Sequence, residues 1–116
     1  MVGPAYVPDK AHIIKINFDP RAGHEQAGWR PAVVLSPAAY NRIGLAIVVP
    51  ITNQVKGYPF EVPVPAGLAT TGVILSDAIK SLDWKARRAR FIEVIPPGAL
   101  KAVQGHLRLL LGFRKP

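Results

Sequence analysis

The chain has 116 residues, 49% of them apolar, so it can bury one hydrophobic core, and we expect a single domain over residues 1–116. It has no cysteine, which excludes disulfides, thiolate chemistry and cysteine-ligated zinc or iron–sulfur centres. Fifteen Lys and Arg against seven Asp and Glu give a formal charge of +8, which favours a polyanionic partner such as nucleic acid or an acidic protein segment.

The sequence contains no apolar run that predicts a membrane span or a secretory leader. The longest apolar runs, such as GLAIVVPI at residues 44–51, are far shorter than the roughly 20 residues that cross a bilayer. The N-terminal MVGPAYVPDK has no continuous apolar core, so we expect no signal peptide. We therefore expect a cytoplasmic protein without a membrane partner.

The first half of the chain predicts three strands and a short helix. HIIKINF at 12–18 alternates between apolar and polar residues, which is typical of a half-buried strand. AVVLS at 32–36 is largely apolar and indicates a strand covered on both faces. PAAYNRIG at 37–44 begins with proline and ends with glycine, which suits one or two helical turns, and LAIVVPI at 45–51 is a third strand.

The second half predicts three more strands and a helix. FEVPVP at 60–65 alternates but contains prolines, which lack the amide hydrogen of a ladder, so it is predicted as an edge strand. GVILSDAIKSL at 72–82 and RFIEVI at 90–95 follow as strands. From Pro97 to Gly112 the apolar residues recur at helical spacing. We expect this apolar stripe to be core, with part of it facing a second copy; it comprises Leu100, Val103, Leu107, Leu110 and Leu111.

These elements predict a mainly β fold, a small SH3-like barrel of five or six antiparallel strands with a short helix and a C-terminal α-helix. Two polar segments then carry a resemblance: DPRAGHEQAGWRPAVVLSP at 19–37 and PITNQVKGYPFEV at 50–62. Together they resemble the MazF/PemK (Kid) family of toxin endoribonucleases, over about residues 6–112.

The resemblance implies a CcdB/MazF-type barrel that forms a homodimer and is the toxin of a type II toxin–antitoxin system. It further implies sequence-specific cleavage of single-stranded RNA without a metal ion or other cofactor, giving 2′,3′-cyclic phosphate and 5′-hydroxyl ends. An antitoxin with an acidic C-terminal tail is the implied protein partner. The positive charge of the chain agrees with both the RNA and the acidic tail.

Site residues follow from the positions that match the family motifs. The resemblance assigns catalysis to Arg30 and Thr52, and it adds Glu25 and His24, the latter as in the PemK branch. It assigns RNA binding to Lys56 of the KGYPF motif.

Further RNA-binding candidates are Gln26, Asp77 and Arg87. Asp77 matches the aspartate of an Asp–Gln pair found in many family members, but the glutamine position is Ala78 here. An arginine that the PemK branch places two residues before that aspartate is Leu75.

Arg87 belongs to the KARRAR run at residues 85–90, which Trp84 and Phe91 flank. Basic residues with aromatic neighbours are typical of single-stranded RNA grooves, so we expect this run to contact RNA or the antitoxin.

The residue types fit metal-free RNA cleavage, in which the 2′-hydroxyl of the substrate attacks phosphorus. The planar fork of Arg30 matches phosphate oxygens, and Thr52 is a neutral donor that positions the phosphate. General acid–base work falls to His24 or Glu25, and the sequence does not rank the two.

Each of these residues also has a purely structural interpretation. Glu25 is also suited to pairing with Arg30, His24 to being a solvated loop residue, and Thr52 to capping a turn. For Trp29 we favour a loop anchor or a partner contact over a surface for base stacking. His12 and His106 have no acidic or histidine neighbours at ligand spacing, so we interpret both as structural and expect no metal site.

Two other functions remain open from the sequence alone. One is a CcdB-like, non-enzymatic gyrase poison on the same fold. The other is an SH3-like module that binds RNA and leaves it intact. The joint presence of Arg30 and Thr52 favours the enzyme.

Overall fold

The computed structural model describes residues 5–18 and 28–113. Seven strands and two helices occur in this part of the chain. In chain order they are β1 His12–Asn17, β2 Trp29–Val34, α1 Ala38–Asn41, β3 Leu45–Thr52, β4 Glu61–Pro63, β5 Val73–Leu75, β6 Lys80–Asp83, β7 Arg90–Val94 and α2 Pro97–Leu111.

The strands form one antiparallel sheet in the order β4-β5-β3-β2-β1-β7, and β6 also pairs with β3. Among the described strands β4 and β7 are not paired with each other, so the barrel is not closed. The predicted mainly β class, with a short helix and a C-terminal helix, is confirmed. The proline-containing β4 lies at the edge, as its missing amide hydrogens require.

Residues 72–82 form two strands, so the prediction of one strand there is wrong. β5 pairs with the end of β3, Ile51 opposite Ile74, while β6 pairs with the beginning of β3, Val48 opposite Lys80. A turn joins them, in which the Ala78 N–H donates to the Leu75 carbonyl at 3.1 Å. Residues 73–83 contain no glycine or proline, so the sequence has no signal that predicts this turn.

One face of β1 is covered at Ile13 but exposed at Lys15, so the prediction of a half-buried strand holds only for part of the strand. Ile13 and Ile14 point to opposite faces, and both are completely buried. Ile13 packs in the cluster that α2 covers, whereas Ile14 packs with Trp84 and the N-terminal Tyr6 on the other side. Residues 32–34 of β2 are buried on both faces, as predicted.

Helix α2 has proline in its first turn and Gly112 as a left-handed C-cap with φ +78°, as the sequence predicted. Val103 and Leu107 are buried against the sheet. Leu110 and Leu111 are 45% and 55% exposed, so the apolar stripe is core only as far as Leu107.

A buried polar residue, Asn41, joins three segments. Its amide nitrogen donates to the carbonyls of Pro8 and Ser36 at 2.8 and 2.9 Å, and its amide oxygen accepts from the Ser36 hydroxyl. Its backbone carbonyl accepts from the Trp84 indole N–H at 2.8 Å. Asn41 therefore fixes the N-terminal segment and the Trp84 ring to α1.

We expect Asn41→Ala to lower the free energy of unfolding by about 3 kcal/mol, because it leaves buried partners without hydrogen bonds. Urea unfolding followed by tryptophan fluorescence measures the change. Arg42→Ala, one residue further and exposed, is the matched control with an expected change below about 0.5 kcal/mol. Equal losses in the two variants would contradict this role for the Asn41 side chain.

Candidate functional site

The two residues expected to contact the scissile phosphate lie at the same end of neighbouring strands. The last paired residues of β2 and β3 at this end are Ala32 and Pro50. Arg30 and Thr52 each lie two residues further along their strands. Arg30 is solvent-exposed and Thr52 is half-buried, so a ligand reaches both side chains from outside.

Thr52 opens into a cleft of about 180 Å³ between the β3–β4 segment and the β5–β6 turn. Three predicted site residues, Thr52, Lys56 and Asp77, share this cleft, and Arg30 does not line it. The complete lining is Thr52, Gln54, Lys56, Tyr58, Glu61, Leu75 and Asp77. The family's arginine position thus holds an apolar side chain, Leu75, within the cleft.

The hydroxyl of Thr52 accepts a hydrogen bond from the Gln54 N–H at 3.1 Å. This is the turn-capping contact that the sequence offered as the alternative to catalysis. A hydroxyl has one donor and two acceptor sites, so this bond leaves the O–H donor for a ligand. The capping bond fixes the side chain, and the two roles are compatible.

Gly72 lies directly against the backbone of Thr52. A Cβ atom on Gly72 would be 2.3 Å from the Thr52 carbonyl oxygen, and the residue has φ +113°. Only glycine satisfies both the conformation and the close approach. Gly72 therefore fixes the position of the threonine from behind.

Glu61 holds the segment that carries Lys56. Its two carboxylate oxygens accept from the backbone N–H groups of Lys56 and Gly57, each at 3.0 Å. Sequence reasoning missed this residue, although it belongs to the KGYPFEV motif. The available signal was a glutamate two residues after Pro59, beside a turn that contains Gly57 and whose N–H groups need an acceptor.

Asp77 is exposed on the β5–β6 turn, next to the completely buried Ser76. The Ser76 hydroxyl is 3.1 Å from Nδ1 of His106, and this imidazole meets the Phe60 ring edge-on at 5.3 Å. His106 thus joins α2 to the turn. His12 is similarly engaged, since its Nδ1 is 2.8 Å from the Tyr6 hydroxyl.

The described residues contain no group of three or more His, Asp or Glu side chains arranged to hold a metal ion.

Arg87 supports the end of β1. Its guanidinium donates to the carbonyls of Asn17 and Phe18, each at 3.0 Å. RNA binding by Arg87 stays a prediction. Trp84 is 5% exposed and belongs to the core, so the expectation that it flanks an RNA groove is wrong; Phe91, at 48%, is exposed.

His24, Glu25 and Gln26 lie outside the described residues. Their predicted roles in catalysis and RNA binding rest on the sequence.

Glu93 on β7 anchors the loop that precedes Gly72. Its carboxylate accepts from the Thr70 hydroxyl at 2.7 Å and from the backbone N–H groups of Ala69 and Thr70 at 3.1 and 2.8 Å. These bonds, chiefly that from the Thr70 hydroxyl, hold the pKa of Glu93 below its ordinary value.

Comparison with known proteins identifies the family. Residues 9–111 match the model of the PemK-like, MazF-like toxins of type II toxin–antitoxin systems. The chain is 47% identical over 108 residues to the endoribonuclease toxin MazF of Escherichia coli K12, covering 92% of this chain and 96% of that protein. It is 37% identical to the endoribonuclease PemK of Escherichia coli, covering 89% and 81% of the two chains.

Solved structures agree. A MazF structure from Deinococcus radiodurans is 53% identical, with a TM-score of 0.86 over 94% of this chain and all of that one. A MazE–MazF structure from the same organism is 47% identical, with a TM-score of 0.85 over 95% of this chain and all of that one. The chain belongs to the PemK-like, MazF-like family of type II toxins.

No helix in the described part of the chain is long and apolar enough to cross a membrane.

We expect Gly72→Ala to destabilise the protein more than Gly67→Ala. Both glycines have positive φ, but a Cβ on Gly67 meets nothing within 4 Å, so it reports the conformational cost alone, about 1–2 kcal/mol. The contact with Thr52 adds about 1–3 kcal/mol to Gly72→Ala. Urea unfolding of both variants measures the difference, and equal losses would contradict the close packing behind Thr52.

We expect Glu93→Gln to lower the free energy of unfolding at pH 7, and we expect this loss to shrink at acid pH. Because the folded pKa is depressed, the contribution of Glu93 is fully present above the ordinary pKa of 4.5 and is lost as the pH falls through the folded pKa. Unfolding measured from pH 3 to 7 tests this. A loss independent of pH would show that the glutamate acts only through packing.

Proposed function

We propose that this endoribonuclease toxin cleaves single-stranded RNA with Arg30 and Thr52 at the scissile phosphate. The observation that carries the proposal is the common location of the predicted residues. Thr52, Lys56 and Asp77 line one cleft, and Arg30 lies at the same end of the β2–β3 ladder. The family motifs thus converge on one end of the sheet in a chain of charge +8.

The proposed reaction needs no metal ion. The 2′-hydroxyl of the substrate attacks phosphorus, the 5′-oxygen departs, and a 2′,3′-cyclic phosphate and a 5′-hydroxyl remain. Arg30 stabilises the charge that develops on the phosphate oxygens, and stabilisation of this kind commonly lowers the barrier more than any other single effect. Thr52 donates its O–H to the same phosphate and positions it, while His24 and Glu25 are the candidates for moving protons.

Lys56 and Asp77 are proposed to bind the RNA beside the cut. The Lys56 ammonium attracts a neighbouring phosphate, and the Asp77 carboxylate accepts from exocyclic amino groups on unstacked bases. With Leu75 in place of the family's arginine, the cleft offers one cation fewer than in the PemK branch. We therefore expect a base preference different from that branch.

The proposed protein partner is a MazE-type antitoxin with an acidic tail, and the proposed place of action is the cytoplasm. A homodimer is proposed on the exposed apolar end of α2. There Leu107, Leu111 and Phe113 line an open groove of about 480 Å³ together with Ile79. Monomeric proteins rarely leave such a surface uncovered.

The test incubates the purified protein with long single-stranded RNA in excess chelator and maps the new ends. We expect Arg30→Ala to lower kcat/KM about 10²–10³-fold, and Thr52→Val, which keeps the shape but removes the hydroxyl, to lower it about 10–10²-fold. Lys101→Ala on α2, an exposed cation outside the cleft, is the control and retains full activity.

A matching substrate separates catalysis from binding. RNA with a 2′-deoxynucleotide at the cut lacks the nucleophile, so it reports affinity alone. An enzyme with Arg30 at the phosphate loses turnover far more than affinity in Arg30→Ala. Intact RNA with folded wild-type protein would favour the gyrase-poison or RNA-binding alternatives instead.

A further inference from the structure

We propose that a groove on the exposed side of β1, β2 and β7 binds an additional unpaired nucleotide of the RNA, beyond the cleavage cleft. We name it the Trp29 groove; it is lined by Lys15, Trp29, Arg90, Phe91 and Ile92 and has a volume of about 420 Å³. The proposal rests on the RNA-cleaving function above. It gives a binding role to Trp29, a residue of the first motif that the sequence favoured as a loop anchor or partner contact, and it places Arg90 of the KARRAR run beside it.

The Trp29 groove combines flat apolar surface with cationic groups. The guanidinium carbon of Arg90 lies 5.7 Å from the centre of the Trp29 ring, within cation–π range. Phe91 also borders the groove, but its ring lies edge-on to His12 at 4.9 Å and against Tyr6. The stacking surface is therefore that of Trp29 and the Arg90 guanidinium. Successive bases stack on such aromatic and guanidinium planes in proteins that bind single strands.

Its cations are available for phosphate. Lys15 and Arg90 are both exposed, and neither has a salt bridge to another residue within 5–18 or 28–113. Glu93 on the same strand as Arg90 forms no ion pair with either cation; its carboxylate accepts from Ala69 and Thr70 instead. The groove therefore combines a stacking surface with two cations that form no ion pair in the described residues.

The groove extends toward the strand ends that carry the proposed cleavage residues. A neighbouring cleft of about 250 Å³ shares Lys15 and Ile92 with it and extends to Pro31, Asn53 and Thr71. Asn53 directly follows Thr52, and consecutive Cα atoms are only about 3.8 Å apart. Arg30 lies between Trp29 and Pro31 on β2, so the same two strand ends carry the proposed cleavage residues and the groove.

RNA suits this groove better than an acidic peptide does. A carboxylate-rich segment needs only the two cations, whereas the Trp29 ring and the Arg90 guanidinium beside it add a stacking surface that suits a nucleobase. One nucleotide supplies both the planar ring and the phosphate. We therefore expect the groove to increase affinity for RNA that extends past the cut, with no change in the chemical step.

Binding of 2′-deoxy-blocked RNA tests the proposal, with fluorescence anisotropy on a series lengthened one nucleotide at a time on either side of the cut. We expect affinity to rise with length on one side and then level off. Arg90→Gln and Trp29→Leu should abolish this rise. Each should weaken the affinity for the longest RNA about 5- to 100-fold and leave the affinity for the shortest RNA unchanged. Lys15→Gln should also flatten the salt dependence by about one phosphate contact.

Lys101→Gln removes the same charge from α2, away from both clefts, and should change neither the length nor the salt dependence. Arg90→Gln and Lys15→Gln replace exposed side chains, so we expect both variants to fold. They test the proposal even if Trp29→Leu does not fold.

Equal affinity of wild type and groove variants for the longest RNA would overturn the proposal. So would unchanged RNA binding with weaker binding of an acidic antitoxin peptide, which would assign the groove to the protein partner. Loss on the shortest RNA as well would show a structural role and also overturn it. Failure of the cleavage function is distinguishable, because wild type would then leave RNA intact while the length dependence persisted on blocked RNA.

Discussion

The fold depends on one shared strand, β3, whose two halves are paired with different neighbours. Residues 45–48 pair with β6, residues 48–50 pair with β2, and Ile51 and Thr52 pair with β5. The change from β6 to β5 falls between Val48 and Ile51, just before the polar end of the strand. A cleft opens at that divergence, since Thr52 contributes to its wall. The site is thus a consequence of how the sheet bends, and the close approach of Gly72 is what the bend requires.

The sequence predicted most elements because their signals were local. The apolar β2, the proline-limited β4 and the proline-to-glycine span of α2 each have a composition that allows one structure. The β5–β6 turn was missed for the opposite reason. Its conformation is stabilised by tertiary contacts, in particular the burial of Ser76 beside His106 on α2, and no glycine or proline marks it. Residues 72–82 have the pattern of a single strand, but they pair with two different parts of β3, and this tertiary pairing divides them into β5 and β6.

The residues of the candidate site likewise fall into those that the sequence predicts and those that it does not. Residues of the motifs, Thr52 and Lys56, were predictable from their neighbours in sequence, whereas the residues that hold them were not. Glu61 accepts hydrogen bonds from backbone N–H groups, and Gly72 lacks the Cβ atom that would collide with the Thr52 backbone. Such contacts with the backbone cannot be read from the sequence, because every residue type has the same backbone atoms. The prediction for Trp84 was wrong because a tryptophan beside basic residues is typical of an exposed aromatic. Here the ring is buried, and its indole N–H donates to the Asn41 carbonyl in the core.

The electrostatic character of the surface follows from how the acidic residues are used. Of the five Asp and Glu side chains that the structure describes, four accept hydrogen bonds from backbone N–H groups: Asp9, Glu61, Asp83 and Glu93. A carboxylate that holds a turn in this way is fixed in place by backbone N–H groups and keeps its own charge. In the cleft Lys56 therefore shares the lining with Glu61 and Asp77. In the Trp29 groove, by contrast, Lys15 and Arg90 share the lining with no described carboxylate, and neither of these cations forms an ion pair with a described residue. The charge of these cations attracts an RNA strand and an acidic antitoxin tail, so competition between the two is a consequence of the turn chemistry as much as of the site itself.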